Sequence, residues 1–176
     1  MVDKVRVYLD ASVILRLSLG NPATVKLLLL RLAGVPLEIV SSAYALQEVL
    51  RTMAQPEWPT KAAFAVVVLL GGMIIEDLIH IRSSLPTVNQ TLKYSELCRD
   101  EKDWPILADA VAENCNVILT EDKDFLDAVE KIKQHILIHC ESLEGFLTRF
   151  TEQPEVAATL QSYQQLTNPS GELGLY

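Results

Sequence analysis

The sequence predicts an α/β fold, a parallel sheet with helices on both faces. Three observations carry this reading. Strand-like and helix-like segments alternate for about 150 residues. A late apolar run, Val117-Ile118-Leu119, suits a strand buried on both faces. The chain has 176 residues, 49% of them hydrophobic, enough for one full core.

Each element follows from its own pattern. Val5, Val7 and Leu9 alternate with Arg6 and Tyr8, and the run stops on Asp10, so a short strand ends on a carboxylate. A helical pattern covers Val13 to Leu19 and ends near Gly20-Asn21-Pro22. A second helix, Ala23 to Ala33, closes at Gly34 with Pro36 beyond it. Leu37 to Val40 reads as a strand, and Ser41-Ser42 caps a helix over Ala43 to Met53. Thr60 caps an apolar helix that Gly71-Gly72 is expected to break, with a strand within Met73 to Ile81. Pro86 opens a helix over Thr87 to Cys98, followed by the charged loop Arg99 to Asp103. Asp103 is expected to cap the helix Trp104 to Asn114, with Pro105 in its first turn. Val117 to Thr120 forms the next strand, Asp124 to Ile132 a short helix, and Ile136 to Ile138 a last strand. Ser142 starts a helix that reaches Phe150. One domain over 1–150 is expected, then a polar extension over 151–176, partly helical or disordered: one or two amphipathic turns and a loose tail around Asn168-Pro169-Ser170-Gly171.

Charge narrows the function. Fifteen Lys and Arg stand against 23 Asp and Glu, a net charge of −8. That excludes a nucleic-acid binder working by bulk positive charge. Any nucleic-acid chemistry must rest on a local site and a bound cation. The three cysteines, Cys98, Cys115 and Cys140, are odd in number and widely spaced, which predicts free thiols in a reducing compartment. A cytoplasmic chain without a secretory leader is expected. The longest uncharged run, Ala62 to Ile75, is about 14 residues against the roughly 20 needed to span a bilayer, so no membrane role is expected.

The chemistry gathers where the strands end. Ligands of open parallel sheets bind beyond the carboxyl ends of the strands, where strand order reverses. Asp10 follows the first strand, and Asp122 lies just past Val117 to Thr120. If those strands are neighbours, the two carboxylates face each other. Asp103 opens the helix before that later strand. Such a helix is expected to begin at the far edge, so the acidic loop must deliver Asp103 to the site. Glu48 lies one turn and a half into its helix, and a long side chain tilting toward the helix N-terminus can reach back to the edge. Clustered carboxylates repel one another, and a divalent cation removes that cost. Hard oxygen donors suit Mg²⁺ or Mn²⁺, and the arrangement fits hydrolysis of a phosphodiester by activated water.

At these residues the sequence resembles the PIN domain, the fold of VapC-type toxins and related ribonucleases. Val5 through Ile14 resembles the family's opening strand, with its metal-binding acid at Asp10 and a Ser, Ser12, two residues on. Ser42 to Leu50 resembles the second motif, with Glu48; Cys98 to Ala108 the third, with Asp103; Val117 to Phe125 the fourth, with Asp122. The likeness spans about residues 4 to 140 and implies a three-layer α/β/α fold with a mainly parallel sheet of about five strands. It also implies a Mg²⁺ or Mn²⁺ site held by Asp10, Glu48, Asp103 and Asp122, and cleavage of single-stranded RNA. Many members are toxins held by a co-expressed antitoxin, and many form homodimers. Ser12 and Thr120 would position water or the acids. Asp124 would assist the metal or cap the following helix, and Asp100 is a further acid near Asp103. Asp109 is expected outside the metal's immediate ligands. Arg16, Arg51, Arg99, Lys102 and Lys123 are the basic residues nearest the motifs.

Other chemistries fit less well. His80, His135 and His139 show no zinc spacing, and no phosphate-binding Gly loop occurs. A Toprim-type site would need a Glu where Asp10 stands. The alternative from another class is a PIN-like binding or scaffold module with weak or no nuclease activity, which the acidic charge motivates.

Overall fold

The computed structural model describes residues 4–17 and 22–167. In these residues five parallel strands form one sheet: β1 (Val5–Leu9), β2 (Leu37–Ser42), β3 (His80–Arg82), β4 (Val117–Leu119) and β5 (His139–Glu141). Their order is β3-β2-β1-β4-β5. Strand order therefore reverses between β1 and β4, which pair directly through Val7↔Val117, Tyr8↔Ile118 and Leu9↔Leu119. This is the topological switch point at which such sheets bind ligands.

Both sheet faces are buried, and strand periodicity divides them. Val7, Leu9, Leu37, Ile39, Val117 and Leu119 enter one core. Tyr8, Val40 and Ile118, one position out of phase, enter the other with Cys140. The first face is covered by α1 (Ala11–Leu17), α2 (Pro22–Leu32), α3 (Ala43–Met53), α4 (Thr60–Ile75) and α9 (Leu143–Thr151). The second is covered by α6 (Trp104–Ala112), α7 (Lys123–Asp127) and α8 (Val129–Ile136). The three-layer α/β/α reading holds, and the sheet is wholly parallel.

Local signals set most boundaries. Gly34 takes φ +75° at the end of α2, where Val35 N–H bonds back to Leu30 O at 3.2 Å. Ser42 caps α3 by accepting from Ala45 N, and Ser142 caps α9 by accepting from Gly145 N.

Four expectations fail. Gly71-Gly72 does not break α4, which runs on to Ile75. Two glycines cost about 1 kcal/mol each, and burial of Val66 and Met73 on either side offsets this. The stop comes at Glu76 and Asp77, where Asp77 takes φ 52° and Leu78 N–H reaches Met73 O. The following strand is accordingly confined to His80–Arg82. The helix expected over Thr87 to Cys98 is only α5 (Val88–Thr91) and a 3₁₀ turn over Leu92–Tyr94. Ile136 to Ile138 is not a strand: Val129, Ile132 and Ile136 share a helical face, α8 ends at left-handed Leu137, and β5 starts at His139. The polar extension carries α10 (Pro154–Thr167), longer than one or two turns, with Val156 buried in the first core. Gly20-Asn21 and the tail around Asn168 to Gly171 lie outside the described residues.

Candidate active site

Asp10 leaves β1 at the switch point and is almost fully buried. Its backbone N–H continues the ladder to Leu119 O at 3.1 Å, so its position is set by the sheet. Its carboxylate is held from three sides. Oδ1 accepts from Ala11 N–H at 2.6 Å, and Oδ2 accepts from Ser12 Oγ at 2.6 Å and from Thr120 Oγ1 at 2.8 Å. Burial pushes its pKa up, the three hydrogen bonds oppose that, and the charge of Asp122 adds to it.

The same two hydroxyls organise the loop after β4. Thr120 Oγ1 accepts from Asp122 N–H at 3.0 Å, and Ser12 Oγ accepts from Glu121 N–H at 3.0 Å. Asp122 then caps α7 by accepting from Asp124 N–H at 2.8 Å. One hydrogen-bonded chain thus runs from the end of β1 to the start of α7. It fixes Asp10 and Asp122 relative to each other.

Asp103 reaches this edge more simply than expected. A helix leading into a parallel strand runs antiparallel to it, so α6 starts at the carboxyl edge; the expectation of a far-edge start is corrected. The far end of α6 confirms the direction: Glu113 binds Arg6 near the start of β1, at 3.0 Å. Asp103 also does not cap α6. Its backbone is helical and its side chain makes no capping bond. The residue is 5% exposed, and its Oδ2 is buried without a hydrogen-bond partner. Burial, then the charges of Asp122, Asp100, Asp10 and Asp124, raise its pKa to about 7. The structure therefore brings Asp10, Asp103 and Asp122 within one electrostatic neighbourhood.

The remaining candidates are each tied to a partner of their own. Asp124 pairs with Arg99 at 3.1 Å, and Asp100 accepts from Lys102 N–H at 3.0 Å. Glu48 turns to Arg51 on its own helix. Its charge acts on Tyr44, whose pKa is raised by burial first and Glu48 next, with Asp100 and Asp103 adding more weakly. Tyr44 is thus in electrostatic reach of both Glu48 and the Asp103 side. Arg16, like Arg51 and Arg99, is tied to an acid, lying 2.6 Å from Glu121. Among the described residues no three acidic, His or Cys side chains come together closely enough to hold a metal ion as they stand.

The donor set nonetheless fits a hard divalent cation. A buried carboxyl oxygen with no partner, beside two further carboxylates, is a group whose charged form needs a counter-ion.

Asp109 lies off this cluster, as expected, but it is not an idle surface acid. It is fully buried on α6, with Arg82 Nε 3.1 Å from its Oδ1. Arg82 also binds Glu113 at 3.1 Å. Ser42, beyond its capping role, shares a 2.7 Å hydrogen bond with the Tyr8 hydroxyl. Sequence reading missed the pairing of Asp109 with Arg82. The signal was a lone acid within the apolar run Ile106 to Ala112, which demands a cation from elsewhere in the chain.

A family model, the PIN domain, matches residues 7–131. No curated protein and no solved structure matches the chain.

Proposed function

The chain belongs to the PIN domain family, a nuclease fold, and from that premise we propose that it is a Mg²⁺- or Mn²⁺-dependent endoribonuclease acting on single-stranded RNA. The observation that carries the reading is the buried, partnerless oxygen of Asp103 beside Asp122 and Asp10 at the switch point. These three residues, with Glu48 swinging from Arg51, are the proposed ligands. A bound cation would supply charge neutralisation of the scissile phosphate and activation of the attacking water.

The chain's own residues do the rest. Ser12 and Thr120 donate to one oxygen of Asp10, which orients its carboxylate and opposes the upward push that burial gives its pKa. Asp103, with its pKa near 7, changes protonation in the range where a divalent cation competes with the proton. The buried Cys98 takes no part as a nucleophile, since burial pushes its thiol up to about 12.

The test is cleavage of an end-labelled single-stranded RNA with Mn²⁺, Mg²⁺ or chelator. The expected result is metal-dependent cleavage that Asp103→Asn lowers by at least about a hundredfold. Cleavage unaffected by chelator overturns the reading. The VapC-like toxin role belongs to the same proposal, and co-expression of a small partner protein that suppresses cleavage supports it.

A second reading is a PIN-like binding or scaffold module. The spread of the donors and the net charge of −8 favour it. Metal-independent binding of a protein partner without any turnover would establish it.

A further inference from the structure

We propose that Tyr44 is a nucleobase-stacking residue beside Asp103, with one base of the single-stranded RNA packed on its ring; this rests on the nuclease reading above. Tyr44 is the second residue of α3, two positions after the capping Ser42 that ends β2. It therefore stands at the carboxyl edge of the sheet. Its helix and its ring belong to different layers. Ala45, Leu46, Val49 and Met53 of α3 pack into the first core, whereas Tyr44 borders the second core, as Tyr94 and Trp104 do. The sheet separates the two cores, so the ring passes over the carboxyl ends of the strands. A side chain in a first helical turn tilts toward the helix N-terminus, which carries it that way. Glu48 lies one turn further along the same helix face. The charges of Glu48, Asp100 and Asp103 all reach the phenol.

Three features select a base as what the ring takes up. The first is the state of the side chain. Tyr44 is partly buried and not sealed, and among the described residues its hydroxyl has no hydrogen-bond partner. A tyrosine kept for packing normally commits its hydroxyl, as the buried Tyr8 does to Ser42. The second is charge. Arg16, Arg51 and Arg99 are each paired with an acid, so phosphate capture by these cations is weak. Stacking needs no cation, and every base has a π-face. The third is preorganisation. The second core holds the inner side of the ring, so little freedom is lost when a base packs on the outer side.

The experiment is fluorescence anisotropy of a labelled single-stranded RNA of about ten nucleotides in Mn²⁺. Its linkages are phosphorothioates, so that binding is read without cleavage. Tyr44→Leu keeps an apolar contact with the core and removes the ring. It is expected to weaken binding about tenfold, as loss of one stacked base does. Tyr44→Phe is expected to restore wild-type binding. An abasic nucleotide moved along the RNA is expected to cost the wild type about tenfold at one position, and to cost Tyr44→Leu nothing more there. The circular dichroism spectrum and the Mn²⁺ affinity are expected to be unchanged, which separates lost stacking from a lost fold or metal site. Wild-type binding by Tyr44→Leu overturns the proposal. So does an abasic penalty that persists in that variant, or a wild type that binds no RNA. The nuclease reading fails separately: RNA that binds through Tyr44 but is never cut at ordinary linkages leaves the stacking in place and removes the cleavage.

Discussion

Ser12 and Thr120 show how two small hydroxyls set an acid's behaviour. Both donate to one oxygen of Asp10, and both also accept from the backbone that carries Asp122. Losing either leaves a buried carboxylate short of a donor and loosens the loop. Thr120→Val is therefore expected to lower Mn²⁺ affinity about tenfold to a hundredfold, read by calorimetry, while the fold persists. Asp103 makes a second prediction. Its folded pKa lies above the unfolded value, near 7 against 3.8, so the native state holds more protons between those pH values. Stability of the metal-free protein must then fall as pH rises from about 4 to about 7. Thermal melts in chelator should give a lower melting temperature at pH 8 than at pH 5. Asp103→Asn should recover several degrees at pH 8, on the order of 1–2 kcal/mol. An unchanged melting temperature in that variant would show that the carboxylate is not strained by its surroundings.

Among the elements, α6 joins both ends of the sheet. Its start carries Asp103 and its interior carries Asp109, buried against Arg82 of β3. Removing one partner strands the other charge. Arg82→Met is expected to cost about 3 kcal/mol in urea denaturation, and adding Asp109→Leu should return most of it. At α4 the two glycines are helical and open to space. Gly71→Ala should raise monomer stability by about 0.5–1 kcal/mol.

For the whole molecule, order and layering were legible because burial on both faces leaves a plain pattern in β1, β2 and β4. The placing of Asp10 at the switch point was legible for a related reason: a carboxylate directly after an apolar strand stands at that strand's carboxyl end. What escaped was set by distant partners. Nothing near Asp109 announces Arg82, which lies 27 residues upstream. Gly71-Gly72 reads as a stop only when the packing of Val66 and Met73 is unseen. The trio Ile136 to Ile138 has too few residues for its period to separate strand from helix end. Charge acts at this scale as well. Under the proposed function, a net charge of −8 means that RNA would approach through a cation-loaded site and not through a basic surface. Among the described residues no helix is long and apolar enough to cross a membrane.

The most direct test of the account is Mn²⁺ titration by calorimetry at pH 8, wild type beside Asp10→Asn. The account predicts a saturable site in the wild type and its loss in the variant, with both proteins folded by circular dichroism. Equal binding by the two, or none by the wild type, would mean that these acids do not converge on a cation.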